Sequence, residues 1–232
     1  MNKVLYTFMF LIGSIAFAQN VDHNPWNALL IKQVSNDGKV DYRGFKTDLK
    51  NLDNYLEAIS NNNPEKFTSK NEKLAYWINI YNAFTIKLIV DNYPLKSIKD
   101  IKQPWDKKFI PIGDELLSLN YIEHEILRKM NEPRIHFAIN CASKSCPKLY
   151  NKAFTPENLD ETLTILTKEF LLDSTKNSIS KNEIEISKIF KWFKKDFEKN
   201  ETLIDFLNRY SKINISPNAK IKFKDYNWNL NE

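Results

Sequence analysis

Apolar positions recur at helical spacing along most of this chain and at strand spacing in a few short stretches only. Leu49, Leu52, Tyr55, Leu56 and Ile59 step by three and four, which predicts an amphipathic helix closed by the Asn61–Pro64 cluster. The longest helix is expected from Lys70 to Tyr93. Ser69 and Glu72 have capping-box spacing at its start, and Pro94 cannot continue it. Leu74, Trp77, Tyr81, Phe84 and Leu88 form one face, with Ala75, Asn79, Asn82, Ile86 and Ile89 about a quarter-turn round. Such a wide apolar arc marks a central helix. Asn79 and Asn82 are then buried amides in need of partners, either loop backbone or a catalytic histidine or substrate carbonyl that they orient.

Shorter elements surround it. A helix is expected over Trp26–Val34, with a turn at Ser35-Asn36-Asp37-Gly38 leading into Val40–Tyr42. Lys108–Ile112 and Leu116–Leu117 flank Gly113-Asp114 as a small hairpin. Ser118 can cap a helix over Leu119–Met130 whose buried row is Leu119, Ile122, Ile126 and Met130. Projected at about 100° per residue, Glu123 falls in that apolar arc, while His124 and Arg128 share the next face. Ile135, Phe137 and Ile139 alternate with Arg134, His136 and Ala138 as a strand ending near Asn140. Further on come a helix over Leu159–Leu172, a hairpin of Ser178–Ser180 with Glu183–Ser187, and an aromatic core segment around Ile189–Phe197. A helix over Leu203–Tyr210 and a terminal strand over Lys220–Tyr226 complete the chain. The expected fold is α+β and helix-rich, one domain over residues 19–232 with a small antiparallel sheet.

Composition narrows the function. Met1–Ala18 has an early lysine, an apolar run from Val4 to Phe17 and Ala16-Phe17-Ala18, the pattern of a cleavable signal peptide. The protein is therefore expected to be exported, periplasmic or secreted, with no membrane span once that segment is removed. The formal net charge of +5 comes from 34 basic and 29 acidic residues scattered through the chain, which favours a solvated surface over nucleic-acid binding. Beyond the leader, the glycines are Gly38, Gly44 and Gly113, never spaced as a phosphate-cradling loop, and no cofactor is implied. Of the four arginines, Arg128 and Arg134 flank the stretch that carries most of the chemistry, and arginine suits a bidentate contact with a carboxylate.

That stretch is Arg134–Leu149, RIHFAINCASKSCPKL, which holds both cysteines and one of three histidines. Together with WINIYNA at Trp77–Ala83, SLNYIEHEILR at Ser118–Arg128 and the closing DYNWNLN, it resembles the family catalogued as domain of unknown function 547. The resemblance runs from about Trp26 to Asn231. It implies a papain- or transglutaminase-like cysteine-hydrolase arrangement in which the first cysteine is the steadier feature. The family pattern carries aspartate where this chain has Asn227.

Two functions follow from the residues. In one, Cys141 is the nucleophile of a cysteine-dependent hydrolase or acyltransferase acting on amide or peptide bonds. A thiolate near neutral pH needs a base or a cation, and His124, His136, Arg128 and Arg134 flank it. His124 is the expected base, oriented by Glu123, Asn79 or Asn82, with His136 as substitute, and Glu123 is either paired with Arg134 or an active-site acid. In the other, Cys141 and Cys146 form a structural disulfide and the protein is a non-catalytic envelope module that binds a ligand. The partner is a small-molecule or peptide substrate of unknown identity. C-x-x-x-x-C with both histidines upstream is not a zinc-finger spacing, and no metal is expected.

Overall fold

The computed structural model describes residues 21–232. The expected leader Met1–Ala18 lies outside the described residues. Three helices open the fold: α1 (Asn24–Gln33), α2 (Tyr42–Thr47) and α3 (Leu49–Ser60). An antiparallel bridge between Val34 and Val40 closes the turn between α1 and α2. α2 and α3 pack on α4 (Lys70–Asn92), with α1 against α2 and α3, and the residues of α4 from Leu74 to Ile86 are buried without interruption. Its capping box is formed as expected, with Ser69 Oγ accepting from Glu72 N at 3.1 Å and Glu72 Oε2 from Ser69 N at 2.8 Å. A helix buried all round has its apolar face everywhere, and the core cluster extends from Trp26 to Leu230 about it.

β1 (Ile110–Ile112) and β2 (Glu115–Leu117) form the expected hairpin, with Gly113 at φ +56° in its turn. The helix after it departs from regular α geometry. Ser118 Oγ caps α5 (Leu119–Tyr121), but Ile122–Leu127 is a π-helical turn and Arg128–Met130 a 3₁₀ turn. The wider turn advances the buried row by one residue, so Leu127 is fully buried where Ile126 was expected, and Ile126 and Met130 are half-buried.

The strand expected at Arg134–Asn140 is absent; Pro133–Phe137 is a 3₁₀ helix, with Pro133 in its first turn and the Glu132 side chain accepting from Arg134 N at 3.2 Å. Ile135 through Asn140 are all buried, so the apolar alternation did not mark one wet and one dry face. Phe137 instead sits among Phe170, Phe190, Phe197 and Phe206 at ring separations of 5.1–6.4 Å. These rings come from α6 (Leu159–Leu172), α7 (Ile189–Trp192), α8 (Lys194–Phe197) and α9 (Leu203–Tyr210).

β3 (Ser178–Ile179) and β4 (Glu183–Ile186) pair antiparallel, whereas β5 (Lys220–Phe223) runs parallel to β4. The expected all-antiparallel sheet is thus mixed, because the chain passes through α7, α8 and α9 before returning, the long crossover that parallel pairing requires. The fold is α+β and helix-rich, with one two-stranded and one three-stranded sheet among the described residues.

Candidate active site

A ladder of buried amides holds the cysteine loop. Asn82, on α4, donates from Nδ2 to Ala138 O at 2.9 Å and accepts at Oδ1 from Asn140 N at 2.9 Å. Asn140 in turn donates to Pro147 O at 2.7 Å and accepts from Ala142 N at 2.8 Å, tying the two ends of the loop together. Asn231 Nδ2 donates to Asn140 Oδ1 at 3.3 Å, and Tyr42 Oη donates to Asn231 Oδ1 at 2.7 Å. The C-terminal segment is laced along the loop through Lys144 N to Asn229 O and Ser145 N to Asn227 O. Ala142 turns the chain at φ +59°, a left-handed conformation that costs a non-glycine residue roughly 1–2 kcal/mol and that this clamp sustains.

The turn sets Cys141, half-buried, and Cys146, buried, on one cleft, both as free thiols. Cys141 N donates to Cys146 Sγ at 2.8 Å. Cys141 Sγ lies 3.3 Å from Ser143 Oγ and 3.4 Å from Tyr226 Oη. Burial pushes the Cys141 thiol up, but hydrogen bonds from Cys146, Ser143 and Tyr226 outweigh it and bring the pKa down to about 7. Cys146 moves the other way, raised by burial and by the neighbouring sulfur. Only one of the two ionises near neutrality, and Cys141, with two hydroxyl donors, is the one.

Across the cleft of about 210 Å³ lie Glu123, His124 and His136. Burial raises the Glu123 carboxyl to about 7, and the charge on Cys141 adds to the shift. Tyr81 Oη donates to Glu123 Oε2 at 3.3 Å. Arg128 grips Asp196 with Nε to Oδ2 at 2.6 Å and Nη2 to Oδ1 at 2.9 Å, and its Nη1 reaches His124 Nδ1 at 2.8 Å. A guanidinium only donates, so His124 Nδ1 is the acceptor and Nε2 carries the proton of the neutral ring. Burial lowers the His124 pKa and Arg128 lowers it further. Asp196 also accepts from His136 Nε2 at 2.8 Å. Burial acts to raise the Asp196 carboxyl, but His136 and Arg128 hold it well below the usual carboxylate range. His136 is stacked on Phe193 at 4.0 Å, and burial keeps its pKa low despite Asp196.

Several expectations change. His124 is not set as the base, because its one lone pair is already occupied by Arg128. Among the described residues neither histidine hydrogen-bonds a cysteine sulfur. Of the two alternatives for Asn79 and Asn82, loop backbone is the one met, Asn79 through Phe154 O and N at 2.8 and 3.1 Å, and neither hydrogen-bonds a histidine. Arg134 does not pair with Glu123; it bonds Glu132, Asp160 and Thr164 at 2.7–2.8 Å, away from the cleft. Asn227 is exposed and uses Oδ1 to accept from Asn229 N at 3.0 Å, a turn that asparagine makes as well as aspartate.

Sequence reasoning missed Asp196, the single acid in the run Ser187–Phe197, and the sulfur contacts of Tyr226 and Ser143. It also missed the aromatic rim. Tyr226 and Trp228 are 4.6 Å apart, Trp192 lies 4.8 Å from Tyr226, and Trp105 closes on Trp228 at 5.6 Å. The DYNWN motif contained two of these rings, but the elements that meet them are over 30 residues away.

An α+β fold whose single thiolate-forming cysteine faces a buried carboxyl and a neutral histidine defines a thiol-centred cleft protein. Residues 64–171 match the family described as "Protein of unknown function, DUF547". The match includes Glu123, Cys141 and Cys146 and stops short of Asp196 and Tyr226. No curated protein and no solved structure matches the chain.

Proposed function

We propose that the protein is a cysteine-dependent hydrolase or acyltransferase acting on amide or peptide bonds. The observation that carries this reading is Cys141, a half-buried residue on the cleft with its thiol pKa at about 7, opposite a carboxyl that titrates in the same range. Each negative charge opposes the other, so near neutrality the pair holds a single charge and a single mobile proton. In the reactive form Cys141 is the thiolate and Glu123 the acid.

Attack of Cys141 Sγ on the carbonyl carbon forms the S–C bond and moves the carbonyl electrons onto oxygen. His124 Nε2–H is the donor available to that oxyanion, since Arg128 fixes the tautomer. Glu123 then gives its proton to the departing amine as the C–N bond breaks, leaving a thioester and a carboxylate. The carboxylate takes a proton from water, or from an acceptor amine, as it attacks the thioester, and Cys141 leaves as thiolate. His136 holds Asp196, which holds Arg128, a positioning chain behind His124.

A second reading, a non-catalytic envelope module, draws support from the rim, where Trp192 is 46% exposed beside Tyr226 and Trp228, a surface suited to stacking a ligand. Under either reading the export of the protein rests on the Met1–Ala18 pattern. The deciding experiment is incubation of the full chain with peptide thioester and amide probes, followed by intact mass. A Cys141-linked acyl adduct that turns over supports the enzyme; probes that bind and leave unchanged support the module.

A further inference from the structure

Acyl transfer makes no use of Cys146, yet its sulfur lines the same cleft as Cys141. The four residues between them are folded back by Cys146 N to Ser143 O at 3.0 Å and by the Asn140 bond to Pro147 O, which fixes the loop closed. Cys146 Sγ accepts from the backbone N–H of Cys141 itself at 2.8 Å, which brings its sulfur to the residue that carries the reactive one. The cleft they share is small, its mouth is aromatic, and the Arg128 charge behind His124 is paired with Asp196. It suits a small uncharged electrophile, and the buried Glu123 carboxyl supplies a proton.

We propose that this pair reduces hydroperoxides, with Cys141 as the oxidised sulfur and Cys146 as the thiol that resolves it. Cys141 thiolate attacks the peroxide oxygen, forming S–O and breaking O–O, and the leaving hydroxide or alkoxide takes the Glu123 proton. Cys146 then attacks the sulfenic sulfur; S–S forms, S–O breaks, and hydroxide departs with the Cys146 proton as water. One peroxide is reduced by two electrons and one disulfide is formed. An external dithiol restores both thiols by exchange and returns the protons. This chemistry needs no acyl group, and it stands or falls separately from acyl transfer.

The test is hydrogen peroxide added to the fully reduced full chain, read by intact mass and peptide mapping. Wild type should lose about 2 Da with a Cys141–Cys146 link, and Cys146→Ser should gain roughly 16 Da at Cys141 and react with a 1,3-dione there. With dithiothreitol in excess, wild type should consume many equivalents of peroxide, and Cys141→Ser should fall to the rate of dithiothreitol alone. Should Cys146→Ser fail to fold, dione trapping in wild type at short times reads the same sulfenate, and Cys146→Ala gives a second unresolved variant. Oxygen accumulating on wild-type Cys141 without a link overturns the resolving role, and so does a wild type whose thiols survive. Peroxide loss limited to one equivalent with dithiothreitol present overturns the activity.

Discussion

Arg128 Nη1 donates to His124 Nδ1 at 2.8 Å, and because a guanidinium has no lone pair, this contact dictates which ring nitrogen of His124 bears its proton. The neutral Nε2–H form should dominate at neutral pH, with a pKa below the ordinary 6.5, since burial and Arg128 both disfavour the cation. Two-dimensional ¹⁵N spectra of the imidazoles read the tautomer directly. Arg128→Ala should raise the His124 pKa and mix the tautomers; an Nδ1–H signal in wild type would contradict the assignment.

The thiol offers a second prediction with opposed signs. Alkylation of Cys141 should be half-maximal near pH 7. Tyr226→Phe removes a donor to the thiolate and should move the midpoint up by roughly one unit, the worth of one hydrogen bond to a charged group. Glu123→Gln removes an opposing carboxylate and should move it down. Mass spectrometry of the peptide carrying both cysteines separates the two sulfurs, and Cys146 should label only at much higher pH. A midpoint that ignores Glu123→Gln would show that the two groups do not couple.

Where a residue's role depends on its own element, the sequence was legible. The Ser69–Glu72 capping box, the Pro94 stop, the hairpin at Gly113 and the burial of Glu123 all follow from local spacing. Where the role depends on a distant element, it was not. Nothing in HFAINC indicates that His136 meets Asp196, 60 residues on, and only that meeting lets a histidine sit inside an apolar run and imitate a strand's alternation. The π turn at Ile122–Leu127 is likewise invisible to a projection that assumes constant pitch, and it decided which of Ile126 and Leu127 enters the core.

Asn82 gives a third prediction, because both of its hydrogen bonds support the backbone of the cysteine loop. Asn82→Ala leaves Ala138 O and Asn140 N buried and unpaired, at about 1–3 kcal/mol for each. Urea unfolding should show a loss of several times thermal energy, about 2–6 kcal/mol, from the two groups together. Asn82→Asp keeps the acceptor for Asn140 N but sets a carboxylate oxygen against Ala138 O, so its loss should shrink as pH falls and the acid gains a donor. If Asn82→Ala folds with full stability while Cys141 loses its low pKa, the amide acts on the thiol directly.

Glu123 makes the last prediction, one of stability against pH. Its carboxyl ionises at about 7 in the folded chain and at 4.5 when exposed. A raised acid pKa means that the folded state keeps a proton the unfolded state has released, so stability is highest below pH 4.5 and falls as pH rises toward 7. The difference between those values corresponds to about 3 kcal/mol. Glu123→Gln removes that loss, so its stability relative to wild type should climb by this order between pH 4.5 and 7 and then level off. Cys141 acts in a separate window: its lowered pKa adds stability from about 7 up to the ordinary 9.0, in both proteins alike apart from their coupling. Urea titrations at pH 5 and pH 7 isolate the Glu123 window. A Glu123→Gln curve parallel to wild type between those points would mean that Glu123 is ionised throughout, and the proton assigned to it in the cleft would have to come from elsewhere.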